Sequence, residues 1–105
     1  MQLIPFDNRD GLIWMNGNFI NWNDAKVHVL THTLHYGSCV FEGIRVYNKK
    51  CFKLKEHIER LFLSAKILDL DIDYTTNDIM KYTEQIVAKK KVVDGKIRAI
   101  GWRVR

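Results

Sequence analysis

Apolar and polar residues alternate along this chain with two different periods, and the change of period separates a strand from a helix. Residues 39–47 alternate with a period of two, which places Val40 and Ile44 on one face together with Glu42. From Leu54 to Leu68 the apolar residues instead recur every three or four positions, as in an amphipathic helix. The pattern therefore predicts a strand followed almost directly by a helix.

The residues before that strand predict a hairpin and two short elements. Residues 12–20 form two apolar runs separated by Asn16 and Gly17, and Asn-Gly favours a hairpin because both central positions of a type I′ turn need positive φ. Residues 26–30 alternate and predict a short strand or extended segment. Residues 31–35 predict a single helical turn that ends at a glycine.

The second half of the chain predicts another helix and a last strand. Thr75 with Asp78 three positions later resembles a capping box and places the start of the helix there. Residues 51–53 predict the hairpin partner of the earlier strand, and Lys96–Val104 alternates as a final strand. This order predicts one α+β domain over residues 1–105, an antiparallel sheet covered by two consecutive helices.

Composition narrows the function classes. The 105 residues carry a net charge of +5. Their lysines scatter and form no binding stripe, so a nucleic-acid binder is the weakest interpretation. The first five residues do not resemble a signal peptide, and no apolar run approaches the ~18–20 residues that span a bilayer. Two cysteines, Cys39 and Cys51, give no disulfide framework, so a cytoplasmic protein with reduced thiols is expected.

One cluster has metal-ligand spacing. His28, His32, His35 and Cys39 follow one another at intervals of four, three and four, which would line one face of an unbroken helix as a zinc site. Gly37 interrupts that helix and the residues around His28 alternate as a strand. Local hydrogen bonding and packing of the histidines is therefore the favoured interpretation.

The face of the strand opposite Glu42 carries Phe41, Gly43 and Arg45. A glycine inside a strand often marks the close approach of a ligand or another backbone, and an arginine beside it can bind a carboxylate. The alternative is a half-exposed hairpin with Arg45 in solvent, and the pattern alone favours it. Glu42 would need a partner if its apolar face is buried.

Two further arginines are candidate anion ligands. Arg60 lies at the edge of the apolar helix stripe, where its planar fork suits a phosphate, or it forms a surface pair with Glu56 one turn earlier. Arg98 alternates with Ile100 on the last strand. It lies either at the mouth of a site or buried against a carboxylate, and the pattern leaves both open.

Five ordered motifs together resemble a known family. They are similar to the N-terminal domain of the branched-chain amino-acid aminotransferases, which are class IV (fold type IV) pyridoxal-phosphate enzymes. The resemblance runs from about Gly11 to Arg103, nearly the whole chain. The motifs are Ile13–Gly17, Asp24–His28, His32–Gly37, Val40–Arg45 and Glu56–Leu61.

The resemblance implies roles for particular residues. Arg60 matches the arginine that grips the phosphate of pyridoxal 5′-phosphate. The implied reaction is reversible amino transfer between leucine, isoleucine or valine and 2-oxoglutarate, carried out in the family by dimers, so a homo-oligomer is expected. The implied substrate-binding residues are Tyr36, Phe41, Gly43, Arg45 and Arg98, of which Tyr36 lies near the neighbouring subunit in the dimeric enzymes.

Two departures from the family pattern matter. Lys96 stands where bacterial members place an aromatic residue that shapes the substrate pocket. No lysine of this chain matches the Schiff-base lysine of the family, which belongs to a large C-terminal domain. We therefore expect a truncated N-terminal domain with no catalytic residue, inactive alone, with weak or absent cofactor binding. The alternative is a non-catalytic, self-associating module or gene remnant that pairs through its last strand.

Overall fold

The computed structural model describes residues 9–105, and its first element is the predicted hairpin. Strands β1 (Leu12–Met15) and β2 (Asn18–Asn21) pair antiparallel in a sheet of their own. The turn residues Asn16 and Gly17 have φ of 51° and 96°, which confirms the positive φ that the Asn-Gly pair predicts. A short 3-10 turn over Trp22–Asp24 follows the hairpin.

The second sheet contains the strand that carries the candidate site. Strand β3 (Cys39–Tyr47) lies between β4 (Lys50–Cys51) and β5 (Gly95–Trp102), and both neighbours are antiparallel to it. β5 ends two residues before the predicted Val104. The reason is that His32 and Thr33 donate their backbone N–H groups to the carbonyl oxygens of Val104 and Arg103, which draws the chain end away from the sheet.

Three helices complete the described part of the chain: α1 (His32–Tyr36), α2 (Leu54–Ile67) and α3 (Thr76–Lys89). α1 is the predicted single turn, and Gly37 ends it with a φ of 77°. The boundaries of α2 confirm the predicted helix to within one residue, and α3 begins directly after the predicted cap residue Thr75. None of the helices in residues 9–105 combines the length and apolarity needed to cross a membrane, and the interpretation of residues 1–5 as no signal peptide falls outside the described residues.

The core lies between β3 and α2, as the two periods predict. The alternating residues of β3 point their apolar side chains at the stripe of α2, and α3 covers the flank of α2. Ile44, Val46 and Ile58 have no exposed surface. The sheet of β3, β4 and β5 is therefore covered by helices on one side, and its other side is open. The buried apolar residues are Val40, Ile44, Val46, Leu54, Ile58, Leu61, Ala65, Ile86 and Val87.

Residues 26–30 form no strand, so of the two predicted forms, a short strand or an extended segment, the strand is wrong. This segment has no strand partner and ends in a turn, with Val29 and Leu30 exposed by 69% and 71%. The backbone N–H of Leu30 donates to Nδ1 of His28, and the Thr31 hydroxyl donates to the His28 carbonyl at 2.6 Å. Such local bonds give the backbone an alternative to a strand ladder, which alternation of residue types does not reveal.

Candidate functional site

The most unusual residue of the core is a carboxylate. Glu42 lies on the helix-facing side of β3 between Val40 and Ile44, and only 6% of its surface is exposed. Its position is forced by the period of the strand, because every second residue of β3 faces α2. A carboxylate removed from water is costly unless charged or polar groups replace its solvation.

Two residues of α2 supply those groups. Arg60 donates from Nε to Glu42 Oε2 and from Nη2 to Oε1, both at 2.8 Å, so the guanidinium grips the carboxylate with two parallel bonds. Nδ1 of His57 is also 2.8 Å from Oε1. His57 and Arg60 are three residues apart on one helix and therefore project from the same side. The three side chains form one cluster, which we call the Glu42 cluster.

The electrostatics of the Glu42 cluster favour the charged forms of its acid and its arginine. The hydrogen bond from Arg60 is the largest influence and lowers the pKa of the Glu42 carboxyl, against the opposing effect of burial, and the hydrogen bond with His57 lowers it further. Glu42 in turn raises the pKa of Arg60. The fixed negative charge thus holds the guanidinium in one orientation.

Arg60 still has an open side. Its side chain is 65% exposed, and no described residue hydrogen-bonds to its Nη1. The surface pair with Glu56, one of the two sequence-based interpretations, is wrong, because the partner is Glu42. A guanidinium anchored by one edge and open at the other is suited to hold an anion such as a phosphate.

The opposite face of the sheet brings together four of the predicted substrate-side residues. Gly43 on β3 lies directly opposite Arg98 on β5, with Phe41 and Arg45 on either side of the glycine. The guanidinium carbon of Arg98 is 5.8 Å from the centroid of the Phe41 ring. Arg98 is exposed, and no carboxylate in residues 9–105 lies within 4.0 Å of it, so the alternative of burial against an acid is wrong.

The remaining predicted residue lies apart from this group. Tyr36 ends α1, is 75% exposed, and has its ring centroid 4.6 Å from that of His32. Strand β3 also separates Arg60 from Phe41, Gly43 and Arg98, because Arg60 contacts the helix-facing side of the strand. The predicted residues thus form two neighbouring groups on opposite faces of β3 rather than one closed pocket.

A cavity of about 700 Å³ extends from β5 toward the β1–β2 hairpin. Its size lies in the range of small-molecule sites, and Arg98 forms part of its lining. The indole N–H groups of Trp14 and Trp102, which also line it, are buried without a hydrogen-bond partner among the described residues. The cavity therefore combines a largely apolar lining with two indole N–H donors, and it lies beside the strand that carries Arg98.

Sequence reasoning missed two members of the Glu42 cluster as functional candidates. The pattern identifies Glu42 only as a residue that needs a partner, and it does not single out His57. The usable signal is a single acid on an apolar strand face followed by a basic residue pair on the next helix.

The histidine and cysteine cluster does not assemble into a metal site. In the range 9–105 no group of three or more His, Cys, Asp or Glu side chains is placed to hold a metal ion. Nδ1 of His28 accepts from the Leu30 backbone, and Nε2 of His35 is 2.8 Å from the Val29 carbonyl oxygen. The rings of His28 and His35 thus each have a hydrogen-bond partner within this local turn.

Comparisons with known proteins agree on one family. Residues 39–105 match the family model described as amino-transferase class IV. A probable branched-chain-amino-acid aminotransferase of Rickettsia bellii is 47% identical over 96 residues, which cover 91% of this chain and 33% of the relative. The branched-chain-amino-acid aminotransferase of Pseudomonas aeruginosa is 43% identical over 95 residues. This chain thus spans about one third of the length of the curated relatives it matches.

Solved structures show the same similarity in three dimensions. The branched-chain aminotransferase of Escherichia coli superposes with a TM-score of 0.87 at 36% identity, over 91% of this chain and 33% of that one. The enzyme of Thermoproteus uzoniensis, solved with norvaline, gives a TM-score of 0.86 at 35% identity, over 92% and 34%. A third branched-chain aminotransferase, solved with N-(5′-phosphopyridoxyl)-L-glutamate, gives a TM-score of 0.85 at 40% identity, over 90% and 33%.

Proposed function

Because this chain belongs to the class IV aminotransferases, we propose that its 105 residues form the phosphate-binding and substrate-facing wall of a branched-chain amino-acid aminotransferase. The reaction is amino transfer between leucine, isoleucine or valine and 2-oxoglutarate. The observation that carries the proposal is Arg60, fixed by the buried Glu42 and open to an anion on its other side. Among the solved relatives are enzymes with pyridoxamine 5′-phosphate and with a phosphopyridoxyl adduct of glutamate, which supports the same cofactor here.

The residues present fit the phosphate of pyridoxal 5′-phosphate. Glu42 occupies one edge of the Arg60 guanidinium through Nε and Nη2, so Nη1 remains to donate to a phosphate oxygen. His57 contacts the same carboxylate at Oε1 and thereby limits its rotation. When bound, the cofactor supplies the electron sink of the reaction. The chain's own contribution at this point is to bind and orient the phosphate.

On the other face of β3, we assign substrate contacts to the group around Gly43. Gly43 has no side chain, so the Lys96 side chain lies over the strand at this point, and Phe41 offers an exposed apolar ring beside it. Arg45 and Arg98 supply positive charge for a carboxylate at the same face. Tyr36 completes the proposed set from the end of α1. An apolar surface beside fixed charge suits an amino acid with a branched aliphatic side chain.

We assign no catalytic residue within this chain. The reaction needs a lysine that carries the cofactor and moves a proton, and we place that lysine in the part of the relatives that this chain does not cover. The 105-residue chain alone is therefore expected not to transaminate leucine. Sustained turnover of leucine with 2-oxoglutarate by the pure chain would contradict this assignment.

We also propose a cytoplasmic homo-oligomer. Tyr36 and Leu34 are 75% and 60% exposed on the short helix α1, which gives a second subunit an apolar surface to cover. Both cysteines are free thiols, as expected for a reducing compartment. The alternative, a self-associating module without catalysis, would also be a homo-oligomer. Sedimentation therefore tests the assembly, and cofactor binding distinguishes the two functions.

Binding of pyridoxamine 5′-phosphate tests the proposed function without interference from an aldehyde that reacts with surface lysines. We expect the chain to bind this compound weakly and to bind pyridoxamine, which lacks the phosphate, at least about tenfold more weakly still. Arg60→Ala should remove the difference between the two ligands. Isothermal titration with both compounds measures it.

Lys55→Ala is the matched control, because Lys55 lies on the same helix and its side chain is 71% exposed. This variant should retain the phosphate-dependent difference. If Arg60→Ala also retains it, Arg60 is not the phosphate ligand and the proposed function loses its supporting observation.

A further inference from the structure

The open face of the sheet carries positive charge that the described residues do not neutralise. Arg45, Lys96 and Arg98 all project from this face and are exposed. Throughout residues 9–105, no carboxylate lies within 4.0 Å of any of the three. Glu42, the acid nearest to them along β3, faces the helices and is already bound by Arg60 and His57.

Lys96 occupies the centre of this face. It lies directly opposite Arg45 in the strand register, yet its side chain runs back across Gly43. A Cβ atom built on Gly43 would lie 2.7 Å from Lys96 Cε and 3.3 Å from Nζ. The ammonium group therefore fills the space that the missing side chain of Gly43 leaves. We call this space the Gly43 notch.

The two arginines flank the notch and turn outward. Arg98 lies over the Phe41 ring at 5.8 Å, and Arg45 lies over the Tyr47 ring at 5.5 Å. Cation–π contacts hold each guanidinium over an aromatic ring and leave the ammonium between them. Three like charges at one small surface repel one another, and a bound dianion offsets that repulsion more effectively than a monoanion.

We propose that Lys96 is a specificity-determining residue that selects dicarboxylate over monocarboxylate ligands at the Gly43 notch. One carboxylate of such a ligand binds Arg98, as the proposed function already requires for an acid substrate. The second carboxylate binds the Lys96 ammonium. The inference rests on the proposed function, since that function makes this face the substrate side, and it adds the residue, Lys96, that discriminates between its two classes of acid.

The cavity beside β5 borders the open face of the sheet at Lys96 and Arg98. Lys96 and Arg98 both belong to the lining of the cavity of about 700 Å³, together with Ile100. The Lys96 ammonium lies over Gly43 and the Arg98 guanidinium over Phe41, and these two residues of β3 are separated by roughly 7 Å because they are two apart on a strand. A five-carbon dicarboxylate is thus a suitable probe, and 4-methylvalerate is its branched monocarboxylate counterpart.

Titration of the purified chain with glutarate and with 4-methylvalerate, followed by ¹⁵N NMR, tests this inference. We expect glutarate to bind at least about fivefold more tightly than 4-methylvalerate and to shift the amide signals of Gly43 and Arg98. Lys96→Met should weaken glutarate binding by about fivefold and leave 4-methylvalerate binding within about twofold. Lys96→Arg, which keeps the charge, should retain the preference.

Lys50→Met is the matched control, since Lys50 is exposed on the same sheet opposite Tyr47, beyond the notch. It should leave both affinities unchanged. The inference is overturned if wild-type protein shows no preference for glutarate, if Lys96→Met keeps that preference, or if Lys50→Met loses it equally. Pyridoxamine 5′-phosphate binding depends on Arg60 across β3, so it reports separately on the proposed function.

Discussion

At the residue scale, Glu42 connects the packing of this molecule to its proposed chemistry. The sequence pattern places an acid on a buried face and shows that it needs a partner. It does not identify the partner, because Arg60 is 18 positions away and the competing pair with Glu56 is local. Glu42 pairs with Arg60 because this contact replaces the solvation that the buried carboxylate has lost.

Replacing Glu42 with glutamine should reveal this contact through its pH dependence. Because the folded protein lowers the pKa of Glu42 below its ordinary value of 4.5, the ionised group stabilises the fold above that value, and the contribution disappears as pH falls through the folded pKa. We expect Glu42→Gln to lower the free energy of unfolding by about 1–3 kcal/mol at pH 7. The deficit should shrink as pH falls below about 4.

Urea denaturation at pH 7, 5 and 3.5 measures the free energy of unfolding of Glu42→Gln and of a control variant. Glu59→Gln serves as the control, because the Glu59 side chain is 55% exposed and its contact with Lys55 is 4.0 Å long. That variant should differ from wild type by less than about 0.5 kcal/mol at every pH. A deficit of Glu42→Gln that stays constant down to pH 3.5 would assign its effect to the changed hydrogen bonding of the amide rather than to the lost charge.

At the element scale, the apolar period of the sequence is sufficient to predict a strand or a helix wherever the packing follows that period. β3, α2 and α3 follow their apolar patterns, and the hairpin follows its Asn-Gly turn. Residues 26–30 fail because alternation describes only which faces are polar, whereas a strand also needs a neighbour with free hydrogen-bonding groups. No described strand pairs with that segment, and the side chain of His28 supplies the bond instead.

The capping box of α3 can be tested on its own. The Thr75 hydroxyl accepts from the Asp78 N–H at 3.1 Å, and the Asp78 carboxylate accepts from the Thr75 N–H at 3.0 Å. We expect Thr75→Ala to lower the free energy of unfolding by about 1 kcal/mol, because the helix start loses an acceptor for its free N–H groups. Asn77→Ala, at an exposed position of the same turn, should cost less than half as much. Equal losses in thermal denaturation would show that the cap has no special role.

At the scale of the whole molecule, one strand separates the two proposed sites. β3 presents the Glu42 cluster to the helices and the Gly43 notch to the open face. The sequence could predict which residues share a face, since that needs only the period of the strand. It could not predict that Arg98 lies opposite Gly43, because this register joins residues 55 positions apart and depends on the intervening helices.

The proposed function requires residues beyond this chain, since it assigns no catalytic residue here. The chain aligns with about one third of the length of its curated relatives, and within residues 9–105 the sheet face that carries the Gly43 notch is exposed. We therefore regard the Glu42 cluster and the Gly43 notch as parts of a larger active site.

The most direct measurement of this central claim is transamination by a chimera. The chimera joins this chain to the part of the Rickettsia bellii relative that the alignment does not cover. We expect it to convert leucine and 2-oxoglutarate, to lose at least about tenfold in kcat/KM when Arg60 is replaced by alanine, and to be unaffected by Lys55→Ala. A folded chimera that binds pyridoxal phosphate but does not transaminate leucine would contradict the claim.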